Sequence, residues 1–87
     1  MRPRARKDVS LQEVGTEGLL YDREAGMVHI LNRTALFAWK QCDGSLTAEE
    51  IAAAMRGRFE VDAQVDIARD VLHILAGFAD KGLLEGS

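Results

Sequence analysis

Apolar and polar positions alternate over residues 8–14, DVSLQEV, with Val9 and Leu11 on one side and Ser10 and Gln12 on the other. A period of two marks a half-buried strand. Gly15 to Gly18, GTEG, supplies a turn, and LLYD at 19–22 reads as a second short strand. DREAG makes a further turn ending at Gly26, and MVHIL at 27–31 is a third strand. Three short strands joined by short turns predict an antiparallel meander.

The period changes at Asn32. Its side-chain oxygen can accept from the exposed N–H groups of a first helical turn, so it predicts an N-cap. Leu31 and Leu36 fit the hydrophobic staple that sets the angle between strand and helix. The first helix is expected to reach about Cys42, with Ala35, Ala38, Trp39 and Cys42 on one face, and Asp43-Gly44 ends it. Thr47-Ala48-Glu49-Glu50 is a capping box with Leu46 and Ile51 as its staple. It opens a second helix over about 48–58, with Ile51, Ala54 and Met55 inward and Gly57 weakening its end. Phe59 and Val61 anchor the next turn. Asp62 is expected to cap a third helix that runs to about Lys81, closed by Gly82, with Leu83-Leu84 folding back as a latch. The expected fold is α+β: a three-stranded antiparallel sheet followed by three helices, winged helix-turn-helix-like in its last two helices. Residues 1–7 read as a disordered basic tail, and 8–87 as one domain.

The third helix has a wide apolar stripe. At about 100° per residue, its apolar positions from Val65 to Ala79 spread over an arc of roughly 200°, where facing a core takes about 100°. Asp66, Asp70, His73, Gly77, Asp80 and Lys81 occupy the other arc. Either this is the central helix, covered on both sides, or one flank lines a groove beside the sheet. In a meander of order 1-2-3 the third strand is an edge. Edges are usually blunted by charge, proline or a bulge. MVHIL has none of these beyond the titratable His29. An open apolar edge beside an apolar helix flank suits the addition of a foreign strand. Pairing with a second copy, or cover by the N-terminal tail, are the alternatives.

Composition narrows the function. The 87 residues carry a net charge of −3, whereas phosphate neutralisation favours basic nucleic-acid binders. The third helix offers Arg69, His73 and Lys81 among three aspartates, a poor surface for a winged-helix DNA contact. Cys42 is the single cysteine, so no internal disulfide forms, and a cytoplasmic setting is expected. No apolar run is long enough to span a bilayer, so neither nucleic acid nor membrane is expected as a partner. His29 and His73 have no carboxylates or thiols at metal-ligand spacing, GTEG is not a phosphate loop, and Ser10, Ser45 and Ser87 sit in no nucleophile motif. The expectation is a protein with no cofactor, metal or catalytic residue.

The ordered pattern RPRARKDVSLQEV, LLYDREAGMVHILNRTA, FAWKQCDGS, TAEEIAAAMRGRF and DVLHILAGFADKGLL resembles the PqqD family, the peptide-recognition domains of ribosomal peptide modification. The resemblance implies a winged helix-turn-helix-like fold in which a leader peptide docks as an extra strand. It also implies delivery of that precursor peptide to a modifying enzyme, often of the radical S-adenosylmethionine type. Carried onto this chain, the docking strand is Met27, Val28, His29, Ile30 and Leu31. The helical wall is Ile67, Val71, Ile74 and Phe78, or the opposite flank with Leu72 and Ala76. A structural subunit or dimerisation domain of a partner enzyme is the other non-catalytic reading, and a homodimer is compatible with an open edge.

Overall fold

The computed structural model describes residues 2–59 and 64–86. The elements follow in the order β1 (Val9–Val14), β2 (Glu17–Asp22), β3 (Met27–Leu31), α1 (Arg33–Lys40), α2 (Ala48–Arg58) and α3 (Ile67–Asp80). The strands form one antiparallel sheet in the order β1-β2-β3. The expected α+β arrangement of three strands followed by three helices is therefore the observed one.

The first hairpin is tighter than GTEG suggested. Glu17 and Gly18 pair with Val14 and Glu13, leaving only Gly15-Thr16 in the loop. Gly15 has φ +63° and Thr16 has no positive φ, the pattern of a type II′ turn, whose twist suits a two-residue hairpin. Gly18 has a different task. A Cβ there would lie 2.9 Å from Leu36 Cδ1 and 3.1 Å from Leu11 Cδ1. Its missing side chain lets α1 settle against β2.

Register puts Leu11, Leu20 and His29 in one row across the inner face, and Gly18 beside Leu31 in the next. Leu20 and Leu31 are buried there against Leu36, Ala38 and Trp39 of α1, Ile51, Ala52 and Met55 of α2, and Ile67, Val71, Leu75 and Phe78 of α3. Trp39 meets Phe78 edge to face, with ring centroids 5.3 Å apart. Ala52, not Ala54, joins Ile51 and Met55 in the core of α2, because α2 turns that face toward both α1 and α3.

The caps explain where helices begin. Asn32 Oδ1 accepts from the Ala35 N–H at 2.9 Å. In the capping box, the Glu50 N–H donates to Thr47 Oγ1 at 3.2 Å and the Thr47 N–H to Glu50 Oε1 at 2.9 Å. α1 ends two residues before Cys42, at Lys40. The cap of α3 is Asp66, which accepts from the Arg69 N–H at 3.1 Å. Asp62, the expected cap, and Val61 lie outside the described residues. Two aspartates four apart precede the same apolar run, and burial decides between them: Ile67 is buried, Val65 exposed.

The expectation of a disordered tail does not hold for residues 3–6. The Ala5 N–H donates to Cys42 O at 2.8 Å, the Gly44 N–H to Pro3 O at 3.0 Å, the Arg6 N–H to Leu83 O at 3.0 Å and the Glu85 N–H to Arg4 O at 2.8 Å. These bonds make a strap between the turn after α1 and the end of the chain, and Pro3 is buried beneath it. Arg6 anchors it. Its guanidinium donates to Asp8 at 2.6 Å, Glu24 at 3.0 Å, Gly82 O at 2.7 Å and the buried Asp22 at 3.4 Å. A run of basic residues signals a solvated tail only while its charges lack partners.

Candidate functional site

Backbone direction alternates along a strand, so each residue of an antiparallel edge points its N–H and C=O either to its neighbour or outward. In a two-residue hairpin the flanking residues, here Val14 and Glu17, bond to each other. Counting from them, Gly18, Leu20 and Asp22 of β2 face β3, and their partners Leu31, His29 and Met27 answer. Val28 and Ile30 are left with N–H and C=O groups on the outer rim of β3. Among the described residues no other backbone group bonds to that rim.

The side chains of the same two residues stand on the sheet face away from the helices. Val28 is 58% exposed and Ile30 73%. Opposite them on β2 are Tyr21 and Leu19, so the outer face carries a small apolar patch. On the inner face Met27 is exposed, His29 half-buried and Leu31 buried.

α3 stands apart from this edge. No Cα of α3 comes within 8 Å of one in β3, while α1 packs against both. An added strand would lie about 4.8 Å beyond the rim of β3. Of the four helical residues expected to wall a groove beside it, Ile67, Val71 and Phe78 are in the core at 6%, 0% and 4% exposure. Only Ile74 keeps accessible surface while packing on the core. The physical reason is the position of α3, which spends Val71 and Phe78 on α1 and α2. The opposite flank, Leu72, Ala76 and Ala79 with Leu75, lines a pocket of about 340 Å³ together with Pro3, Ala48 and Glu49. That flank is open as well: Leu72 is 56% exposed and Ala76 is exposed beside the pocket. The wide apolar stripe on α3 is thus buried along its middle, with Ile74 partly accessible on one side and Leu72 and Ala76 accessible on the other.

Chemistry is sparse. Among the described residues no group of His, Cys, Asp and Glu could hold a metal ion, and no helix is long and apolar enough to cross a membrane. Burial pushes the Cys42 thiol up to about 12, and its Sγ donates to Ala38 O at 3.2 Å. It is a core residue, not a nucleophile.

The sequence profile of the family described as Coenzyme PQQ synthesis protein D (PqqD) matches residues 17–84. The chain belongs to the PqqD family. The match contains β2, β3 and all three helices, and leaves RPRARKDVSLQEV, with the strap and β1, outside it. No curated protein matches the chain. Two solved structures do. One is TbiB1 in complex with the TbiA(beta) leader peptide, 25% identical, with a TM-score of 0.81 over 97% of this chain and 96% of that one. The other is lasso peptide synthetase B1 complexed with the leader peptide, 20% identical, with a TM-score of 0.79 over 97% and 98%; at that identity the likeness is one of fold.

Two features of this PqqD-family chain escaped the reading of its sequence. The outer apolar patch was legible in principle, since Leu19 and Tyr21 alternate with inward residues as Val28 and Ile30 do. The stacking of Arg33 on Phe59, 5.0 Å from the ring centroid and beside Arg58 at 5.3 Å, joins α1 to a residue far along the chain and left no periodic signal.

Proposed function

We propose that this protein is a non-catalytic recognition module that captures the leader of a ribosomally made precursor peptide. The leader adds as a fourth strand along Met27–Leu31 and is presented to a modifying enzyme. The carrying observation is the rim of β3, where the N–H and C=O groups of Val28 and Ile30 face outward with no backbone partner among the described residues. Backbone bonding supplies affinity indifferent to sequence, and alternate side chains supply selectivity. Those on the helix side of the sheet would meet His29, Leu31 and, in this reading, Ile74 of α3; those on the other side would extend the Val28–Ile30 patch. Family membership and the leader peptide bound to TbiB1 support the same reading. The resemblance to PqqD favours a radical S-adenosylmethionine enzyme as the recipient.

The test is a titration of isotope-labelled protein with the leader of a candidate precursor peptide, and separately with the enzyme that modifies that precursor. Shifts confined to β3 and the Ile74 side of α3 with the peptide alone are the expected result. Binding to the enzyme but not to the peptide would make the protein a structural subunit instead.

A further inference from the structure

A pocket of about 360 Å³ opens along the exposed side of α1, between the Gly15-Thr16 turn and Phe59. Arg33, Arg58 and Lys40 line it, against one carboxylate, Glu13. Lys40 already pairs with Glu13 at 3.2 Å. The two arginines do not pair. Each lies over the Phe59 ring, itself held edge-on by Phe37 with centroids 5.5 Å apart. Among the described residues neither guanidinium has a carboxylate at ion-pair distance. Glu17, which shares a shallow groove with Arg33, forms no ion pair with it.

Arg58 has a reason to be where it is, since a cation suits the last turn of α2. Arg33 has none in its own helix. It is the first residue of α1, whose first turn contains no acid, so its charge adds to the positive end of the helix dipole. Two cations thus meet on one aromatic ring at a helix N-terminus, and the pocket gathers positive potential that the described fold leaves unanswered. Planar guanidiniums stacked on a ring keep their edges free to bond a carboxylate.

Arg33 lies two positions beyond Leu31, where β3 ends. A strand added antiparallel to β3, like every pair in this sheet, carries its N-terminal flank past Leu31 toward Arg33. We propose that the Arg33–Arg58 pocket is a subsite for acidic side chains on the leader, just upstream of the segment that pairs with β3. This rests on the strand-addition reading and extends it by one specificity element: an acid at the N-terminal flank and not at the C-terminal flank, which leaves near Met27.

Two synthetic peptides test this by chemical-shift titration. Both contain the alternating strand Leu-Thr-Val-Ser-Leu; one is preceded by Glu-Glu-Glu, the other by Gln-Gln-Gln. The acidic peptide is expected to bind about fivefold tighter in moderate salt, the upper end for a partly exposed ion pair. The preference should fade in 1 M salt, where the Debye length is about 3 Å. In the Arg33→Gln/Arg58→Gln protein the affinity ratio should fall to about one, and moving the glutamates to the C-terminal flank should have the same effect. Equal binding of the two peptides to the unaltered protein would overturn the subsite while leaving strand addition standing. So would a ratio unmoved by the arginine changes, with the loss showing in melting temperature instead. Failure of both peptides to shift β3 would defeat the strand reading and this extension together.

Discussion

β1 and β3 are both edge strands of one small sheet, yet their edges differ. β1 is fenced by charge. Asp8, just before it, takes two hydrogen bonds from Arg6, Glu13 near its end pairs with Lys40 of α1, and Ser10 and Gln12 give it a polar outer face. β3 has no charged residue, no proline and no partner beyond β2 among the described residues. Edges with unpaired backbone groups recruit other strands unless something prevents it. Protection at β1 and its absence at β3 direct any added strand to one side of the sheet. The lesson is that openness at an edge acquires meaning when the other edge of the same sheet is closed.

The sharpest way to disturb this contrast is to remove the platform beneath both edges. Leu20, at the centre of β2, is fully buried, and Leu20→Ala should cost about 2–5 kcal/mol in chemical denaturation. The same truncation at Ile30, largely in water, should stay within about 0.5 kcal/mol. Next in size is the clamp at the β1 side. Arg6→Ala leaves the buried Asp22 without its cation and should lower stability by about 1–3 kcal/mol. It should also raise proteolytic cleavage near residues 3–6 if the strap depends on it.

At β3, Val28→Pro removes an outward donor and no ladder bond, so the fold should survive with its melting temperature nearly unchanged. Leader binding should weaken about tenfold, the upper end for one lost backbone hydrogen bond. Unchanged binding in a folded Val28→Pro protein would mean that β3 is not the docking strand, or that its register is shifted by one. At the β1 fence, Lys40→Met should change stability by less than about 1 kcal/mol, since its pair with Glu13 is exposed.

Acid should act through carboxylates that lie outside β3. The Arg6 hydrogen bonds hold the Asp8 carboxyl below its ordinary range. The Ser45 hydroxyl and N–H do the same for Asp43, and the Thr47 N–H for Glu50. A carboxylate with a depressed folded pKa contributes stability above its unfolded value, near 4, and loses it as pH falls through the folded one. Melting temperature should therefore be flat from neutral pH to about 5 and decline below about 4. A decline that begins near pH 6 would implicate a histidine instead.

Much of this was legible in the sequence because it is local. The alternation in β1, the Asn32 cap and the Thr47–Glu50 capping box each depend on residues within a few positions of one another. The position of β3 as an edge followed from strand order alone. Legibility failed where distant residues meet. The strap depends on Cys42, Leu83 and Glu85 reaching back to residues 3–6. Nor could the burial of α3 be divided among its apolar residues: Val71 and Phe78 are in the core while Leu72 and Ala76, on the same wide stripe, are exposed. Helix periodicity reports how wide an apolar stripe is; it does not report what covers each part.

Amide hydrogen exchange measures the contrast between the edges most directly. Without peptide, the outward N–H groups of Leu11 and Glu13 on β1 and of Val28 and Ile30 on β3 should all exchange quickly. With saturating leader peptide, Val28 and Ile30 should slow markedly while Leu11 and Glu13 do not change. Protection that appeared on β1, or binding that left Val28 and Ile30 exchanging as before, would contradict the account.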